Sequence, residues 1–381
     1  MRVLHLFKTY LPETVGGIEQ AIYQICQSGI AHGIESHVLT LSAKPEPRDL
    51  LLANHHVHRA KLDVQIASTG FSYSLFRRFK ALAAEADVIN YHFPWPFMDV
   101  LHFAAQIRKP TVVTYHSDIV RQQHLLKLYR PLMHRFLGSA DRIVAASPNY
   151  LETSEVLARY RDKTTVIPYG LDKLSYPLPS SARLARWRQR FGSRFFLFVG
   201  VMRYYKGLHI LLEAIKGAEY PVVVVGAGPL ELELRAQAQA LGLDNVHFVG
   251  RLGDEDKVAL LQLCSTLVFP SHLRSEAFGI SLLEGAMFGK AMISSEIGTG
   301  TSYINLHNHT GLVVPPSDPL ALREAMRTLW DNPGLAAQMG RRAEQRYRQL
   351  FTAERMGRQM AALYRELLAE ERLPIGVGAR S

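Results

Sequence analysis

Apolar residues along this chain fall into two kinds of pattern. Short, nearly continuous runs lie at 3–7, 36–41, 88–91, 111–115 and 142–145, and longer patterns at 18–32 and 125–137 place apolar side chains every three or four positions. The short runs predict strands buried on both faces, and the longer ones predict amphipathic helices packed across them. A second series of the same form begins at 195–199 and continues at 222–225, 246–249, 267–269 and 291–294, with helical patterns at 209–215, 231–241, 255–264 and 280–288. Such alternation predicts two α/β domains, each a doubly wound parallel sheet. Residues 171–181 are rich in Pro and Ser and lack periodicity, which reads as a linker. The expected division is an N-terminal domain over 1–170, a linker over 171–192, a C-terminal domain over 193–350 and a charged amphipathic helix over 351–373 that crosses back to the first domain. The tail after Pro374 reads as disordered.

Composition narrows the function classes. Hydrophobic residues make up 48% and charged residues 20% of the 381 positions, which excludes a wholly disordered chain. Two cysteines, Cys26 and Cys264, exclude a disulfide framework or a cysteine zinc site and fit a reducing compartment. Lys and Arg total 44 against 34 acids, a net charge of +10. That excess points to an anionic partner: phosphorylated small molecules, an acidic membrane face or nucleic acid. No basic-aromatic motif supports nucleic acid. No apolar run reaches the length of a spanning helix, and the N-terminal run is too short for a signal peptide. The expected location is cytoplasmic, soluble or peripheral on the inner face of the membrane. Two basic amphipathic stretches suit an anionic surface. One is 71–80, with Phe71, Phe76 and Phe79 beside Arg77, Arg78 and Lys80; the other is 121–135, from Arg121 to Arg135. Both equally suit ordinary surface helices with their apolar side in the core.

Ligands of open α/β sheets bind beyond the carboxyl ends of the strands, so the chemistry is sought in those loops. Gly16 and Gly17 precede a helix, where a phosphate or sugar can approach backbone N–H groups; a simple turn explains them as well. The segments 90–97 and 114–118 hold His92, Trp95, His116 and Asp118. Trp95, between prolines, suits sugar stacking and equally a core plug. His116 follows a buried strand, where a polar residue is expected to face a cleft. His92, Trp95 and Asp118 are the acceptor-side candidates. Arg203 and Lys206 share one short loop, and two fixed cations can neutralise a diphosphate without a metal. The sequence Val225-Gly-Ala-Gly-Pro229 has Glu231 where a dinucleotide fingerprint needs glycine, and no Walker A sequence occurs, which counts against both classes. Residues 270–284 carry Glu276 and Glu284, with seven residues between them, around a helix start near Gly279. Carboxylates there can accept hydrogen bonds from sugar hydroxyls; Ser281 with Glu284 also fits a capping box. Asp254-Glu-Asp256 resembles a metal-binding Asp-x-Asp but reads as acids complementing a helix dipole. His55-His56-Val-His58 has the composition of a metal site, yet with no Cys, Asp or Glu beside it reads as a surface loop. No metal site is expected.

Taken in order, the Gly-Gly pair, the histidine after an inner strand, the Arg/Lys loop, Gly-x-Gly-Pro, Phe248-Val-Gly-Arg251 and the Glu-x7-Glu segment resemble glycosyltransferase family 4 over roughly residues 1 to 350. The resemblance implies a GT-B fold, two Rossmann-like domains facing across a cleft, and retaining transfer of a hexosyl unit from a nucleotide-diphosphate sugar with no metal or other cofactor. Within the family the chain is most similar to bacterial mannosyl- and D-rhamnosyltransferases of lipopolysaccharide O-chain assembly, including at Phe7-Lys-Thr-Tyr10 and Gly16-Gly-Ile-Glu19. That implies a GDP-linked D-rhamnose or mannose donor, a polyprenyl-linked saccharide acceptor and work beside an anionic membrane. Residue by residue, it implies Arg203 and Lys206 on the diphosphate and Glu276 on the donor sugar. The backbone of Phe278, Gly279 and Ile280 would lie around sugar and phosphate, with Glu284 on the ribose. Gly250, Arg251 and Leu252 would border the base, Gly16 and Gly17 would approach the phosphate, and His116 would line the reacting centre. The catalytic set would be His116, Arg203, Lys206 and Glu276. The family commonly places an arginine where this chain has Val201; Arg203 comes later in the loop. A nucleotide-sugar epimerase or hydrolase and a non-catalytic nucleotide-sugar sensor are the rival expectations, and the complete Glu276, Glu284, Arg203 and Lys206 set argues against the sensor.

Overall fold

The structure, a computed structural model, describes residues 1–66, 69–119 and 123–372. The reading of the tail after Pro374 and the start of the basic stretch at Arg121 lie outside the described residues. The chain forms two compact units, each with its own sheet.

Unit 1 comprises Met1–Ala146, Ser154–Gly170 and the segment from Ala353 onward. Its strands are β1 (Arg2–Leu6), β2 (Glu35–Ser42), β3 (Asp49–Leu52), β4 (His55–Lys61), β5 (Val64–Ile66), β6 (Thr69–Phe71), β7 (Val88–Phe93), β8 (Thr111–Tyr115), β9 (Arg142–Ala145) and β10 (Thr164–Val166). The main sheet runs β10-β9-β8-β7-β1-β2-β4-β3, parallel except for β3 against β4. Every residue of β7 and β8 is buried, so their apolar runs reflect helices on both faces. The segment expected as a histidine-rich loop is strand β4 instead. It lies parallel to β2, and its inward positions His55, Val57 and Arg59 are buried; alternation at period two was the overlooked signal. Helix Gly17–Ile30 packs against helix Ala353–Arg372 at a glycine. A Cβ on Gly357 would stand 2.6 Å from the Ser28 carbonyl oxygen, so only glycine permits this approach. Tyr364 accepts a buried hydrogen bond from Asn90 Nδ2 at 2.7 Å, and Arg142 pairs with Glu370 at 2.5 Å. The C-terminal helix is thereby part of unit 1.

Unit 2 comprises Ser147–Thr153 and Leu171–Thr352. Its strands are β11 (Phe196–Val199), β12 (Val222–Val225), β13 (Val246–Gly250), β14 (Thr266–Phe269), β15 (Ala291–Ser295) and β16 (Gly311–Val314), ordered β13-β12-β11-β14-β15-β16 and all parallel. The order reverses between β11 and β14, the switch point at which such sheets bind ligands. The core joins Phe196, Phe198, Leu211, Val222, Val224 and Met326. Residues 171–192, expected as a linker, belong to this unit. Ser180 caps the helix Ser181–Phe191 by accepting from the Arg183 N–H, and the helix buries Trp187 and Phe191. Asp256 anchors it, accepting from Arg183 and Arg186 at 2.6 Å each and from Trp187 Nε1 at 2.8 Å. The Asp-x-Asp element is thus half of a helix clamp. Among the described residues no helix is long and apolar enough to cross a membrane.

Candidate active site

At the switch point of unit 2 the loops after β11, β12 and β14 close on one another, and glycine makes the closure possible. A Cβ on Gly207 would stand 2.0 Å from the Pro270 carbonyl oxygen, one on Gly226 2.0 Å from that of Gly200, and one on Gly228 2.6 Å from the Met202 backbone. The Gly-x-Gly-Pro glycines therefore serve loop-on-loop packing. Between these loops Lys206 and Glu276 are both buried and paired, the Lys206 ammonium donating to the Glu276 carboxylate. Ser271 Oγ donates to the same oxygen at 3.0 Å, and Lys206 Nζ lies 4.9 Å from the Phe269 ring centre. Each charge is tolerated there because the other is present. Arg203, three residues earlier, is exposed. Of the two predicted diphosphate cations, then, one is buried and neutralised and the other faces solvent.

Helix Ile280–Met287 starts at Gly279, whose φ of +96° and lack of a side-chain bond leave the first-turn N–H groups without a capping side chain. The capping-box alternative for Glu284 fails. Its Oε1 instead accepts from Lys257 Nζ at 2.9 Å and from the Tyr176 hydroxyl at 3.0 Å, and the carboxylate is buried. Burial works against the Lys257 charge, but the Glu284 and Asp254 carboxylates outweigh it and hold its pKa above the usual lysine value. Burial and then Glu284 push Tyr176 well up, so it stays a neutral donor. The Phe278 side chain is core, with a Cβ on Gly300 reaching 2.5 Å from its ring; only its backbone can meet a ligand. Ile280 is half-buried. Gly250 ends β13 at φ +72° and its carbonyl accepts from the Gly226 N–H at 2.8 Å. Arg251 beyond it is exposed and Leu252 half-buried.

Unit 1 has its own switch point, between β1 and β7, and a buried polar chain crosses it. His5 Nδ1 meets His92 Nε2 at 3.0 Å, His92 Nδ1 meets His116 Nε2 at 2.9 Å, and His116 Nδ1 meets the Tyr169 hydroxyl at 2.6 Å. Burial lowers His5 and His116 to about 3 and His92 well below its ordinary value, so all three rings are neutral near pH 7. A neutral ring carries one N–H, which leaves two consistent arrangements. Either Tyr169 donates and every ring passes a proton toward His5, or every ring donates toward Tyr169. His5 Nε2, the far end, has no hydrogen-bond partner among the described residues.

This corrects two expectations. His116 does not present a free nitrogen, because His92 and Tyr169 occupy both. His92 is fully buried as the middle of the chain and cannot be a surface contact. Trp95 is likewise no stacking platform: it is fully buried, with Nε1 donating to the Gly70 carbonyl at 3.1 Å. Asp118 is half-buried and accepts from Tyr115 at 2.8 Å and Ser154 at 2.7 Å. Gly17 opens its helix, and a Cβ on Gly16 would stand 2.6 Å from Glu19 Oε2, the movable end of that side chain. Glu19 folds over the helix start and accepts from Thr14 at 3.0 Å. In the stretch 71–80, Phe79 is fully buried, Phe71 lies 5.1 Å from Phe97, and Arg78 pairs with Asp49. Its apolar face is therefore core, while Tyr73, Phe76, Arg77 and Lys80 stay exposed. Tyr169, Tyr176, Lys257 and Ser271 were missed because each is defined by what it touches.

Comparison with known proteins matches two families in sequence. "Glycosyltransferase Family 4" covers residues 15–173 and "Glycosyl transferases group 1" covers 184–346. The chain is 70% identical over 353 residues to the D-rhamnosyltransferase WbpZ of Pseudomonas aeruginosa, covering 93% of each. It is 54% identical over 354 residues to the O-antigen chain mannosyltransferase C of Escherichia coli, covering 93% of this chain and 95% of that one. Among solved structures, the sucrose-phosphate synthase of Thermosynechococcus elongatus superposes with a TM-score of 0.79 at 22% identity, over 97% of this chain and 99% of that one. The Anabaena protein HepE in complex with UDP and glucose does so with 0.77 at 20% identity, over 96% of this chain and 100% of its own. These structures speak to the fold.

Proposed function

We infer, from the premise that the chain belongs to glycosyltransferase family 4 and is a hexosyltransferase of the GT-B fold, that it moves D-rhamnose or mannose from a GDP-sugar to a polyprenyl-linked saccharide in O-antigen or cell-surface polysaccharide synthesis. The names of the two high-identity relatives support the sugar and the process. The observation that carries the donor site is the buried Lys206–Glu276 pair at the switch point of unit 2.

As the donor's glycosidic bond breaks, charge gathers on the leaving diphosphate. Lys206, Arg203 and the N–H groups beside Gly279 and Ile280 stabilise it, and such preorganised charge replaces a divalent metal. Glu276 fixes the Lys206 ammonium and accepts from donor-sugar hydroxyls. Glu284, oriented by Lys257 and Tyr176, takes the ribose, and Gly250, Arg251 and Leu252 border the base. A donor phosphate oxygen receives the acceptor proton on the face the leaving group departs, so no carboxylate acts as a covalent nucleophile. Gly17 approaches the phosphate, and Asp118 serves the acceptor. His116 works through its chain: His5 and His92 set which of its nitrogens carries hydrogen, and Tyr169 presents the result. Arg77 and Lys80, with Tyr73 and Phe76, hold the enzyme against the anionic inner membrane where the acceptor resides. Nucleic acid has no part in this reading.

The test is transfer to a polyprenyl-linked acceptor from GDP-D-rhamnose, GDP-mannose and UDP-glucose, each with and without excess EDTA. A GDP-sugar should support elongation undiminished by EDTA. Equal use of UDP-glucose would remove the base assignment, and donor consumption without acceptor would favour an epimerase or hydrolase.

A further inference from the structure

Strand pairing at the outer edge of unit 1 brings together residues that lie far apart in sequence. Glu35 and His37 alternate on β2, His56 and His58 alternate on β4, and the parallel register sets His37 beside His56. All four side chains share one face. The His37 ring stacks on His56 at 4.7 Å and on His58 at 5.2 Å between centres. Asp49 on β3 is paired with His58 in the antiparallel register.

Polar contacts run in one line. Glu35 Oε1 meets His37 Nε2 at 2.8 Å, His37 Nδ1 meets His58 Nε2 at 2.9 Å, and His58 Nδ1 meets Asp49 Oδ1 at 2.6 Å. Three contacts require three protons, and two neutral imidazoles carry two. His58 must give its N–H to the Asp49 carboxylate, so His37 must give its own to His58. The bare Nε2 lone pair of His37 then faces the Glu35 carboxylate, acceptor against acceptor. A cation has to stand between them: a third proton fits the 2.8 Å separation, and a metal ion fits once the exposed Glu35 carboxylate draws back from the ring. His56 decides what kind of site this is. Exposed and stacked on His37, it brings a ring nitrogen to the same place, and the ligand atoms of Glu35, His37 and His56 lie within 4.8 Å of one another. A tetrahedral ion with bonds of about 2.0–2.2 Å needs its ligand atoms roughly 3.3–3.6 Å apart. Rotation of the exposed His56 ring closes that gap.

We propose that Glu35, His37 Nε2 and His56 form a binding site for a divalent transition metal of the zinc class, with His58 and Asp49 behind His37. Two imidazoles and a carboxylate are ordinary zinc ligands, and a line of histidine and carboxylate behind a ligating ring holds it in the metal-binding tautomer. Arg2 stands 3.3 Å from Glu35 Oε1. Its other nitrogen already pairs with Glu85 at 2.6 Å, so it keeps a carboxylate partner when the ion takes Glu35. Arg78 stays on Asp49. The site lies at the amino-terminal ends of β2 and β4, opposite the carboxyl ends of the unit 1 strands, where His116 and Asp118 follow β8. It would tie β2 to β4 rather than take part in transfer.

The experiment is calorimetric titration of ZnCl2 into protein freed of any histidine tag, with thermal unfolding followed alongside. One Zn²⁺ per chain and a raised unfolding midpoint are expected. His56→Ala and Glu35→Gln, both at exposed positions, should each weaken binding at least tenfold, and Asp49→Asn roughly tenfold to a hundredfold. His309→Ala, an exposed histidine of unit 2, should bind as wild type. Failure of the wild-type protein to take up zinc would show that a third proton holds the line and overturn the proposal. Undiminished binding by His56→Ala would overturn it as well. Hexosyl transfer by His56→Ala should match wild type, which separates this site from the reading of the transfer site.

Discussion

Lys206 and Glu276 were each assigned to the donor from the sequence, but the structure makes them one unit. Removing either leaves a buried charge without its partner, which typically costs about 3–5 kcal/mol. Glu276→Ala should therefore lower the unfolding free energy by that order as well as abolish most turnover. The double variant Lys206→Met with Glu276→Leu should be markedly more stable than the sum of the single changes implies. Urea unfolding of the four proteins measures this directly, and additive losses would show that the pair is not coupled. Glu284 differs, because Lys257 and Tyr176 already hold it. Glu284→Gln keeps its shape and removes a charged acceptor, worth about 1.5–3 kcal/mol. GDP affinity should fall roughly tenfold to a hundredfold, as titration calorimetry would read. Neither partner set could be found by spacing: Lys206 and Glu276 are 70 positions apart, and the loops of two strands must converge before they meet.

The strands β1, β7 and β8 were legible as apolar runs, yet the first run contains His5, β7 extends past its run of 88–91 to take in His92, and His116 follows the last. A histidine inside a strand covered on both faces must find a polar partner, and that reasoning could have flagged the chain without naming its members. Its pH signature follows from the depressed values. The unfolded chain protonates these rings below about 6.5, whereas folded His5 and His116 resist until about 3. The stabilisation is thus complete above pH 6.5 and is lost as pH falls toward 3, by up to about 1.4 kcal/mol per pH unit for each ring. His5→Asn, which places an amide near the Nδ1 position, removes one titrating group. The decline of its unfolding free energy between pH 6.5 and 4.5 should be shallower than that of wild type; an equal slope would mean that His5 takes up its proton alike in the folded and unfolded chain. The helix Ser181–Phe191 gives a parallel lesson. Only Leu184, Trp187 and Phe191 mark its apolar side among four arginines, and its place is fixed by Asp256, a residue of another element.

At the scale of the whole molecule, the charge of +10 invites a membrane test. Arg78 is tied to Asp49, while Arg77 and Lys80 are exposed beside Tyr73 and Phe76. Replacing Arg77 and Lys80 with Gln removes about 1 kcal/mol each at an anionic surface. Cosedimentation with anionic vesicles at low salt should weaken roughly thirtyfold, with transfer to a soluble acceptor unchanged; binding that ignores the substitutions would place the contact elsewhere. The sequence by itself determined the family and most strands of the two main sheets, β1, β2, β7, β8 and β9 in one and β11 to β15 in the other. Local apolar patterning and short motifs encode these, because each strand must bury its own run and each loop carries its own residues. Tertiary structure alone decided that Trp95 is a core plug, that Glu284 answers to Lys257 and that His116 has both nitrogens taken. It also turned an apparent histidine loop into a strand lying beside Glu35 and His37. Such facts depend on which strands become neighbours, and β2 and β4 acquire theirs only when the sheet forms.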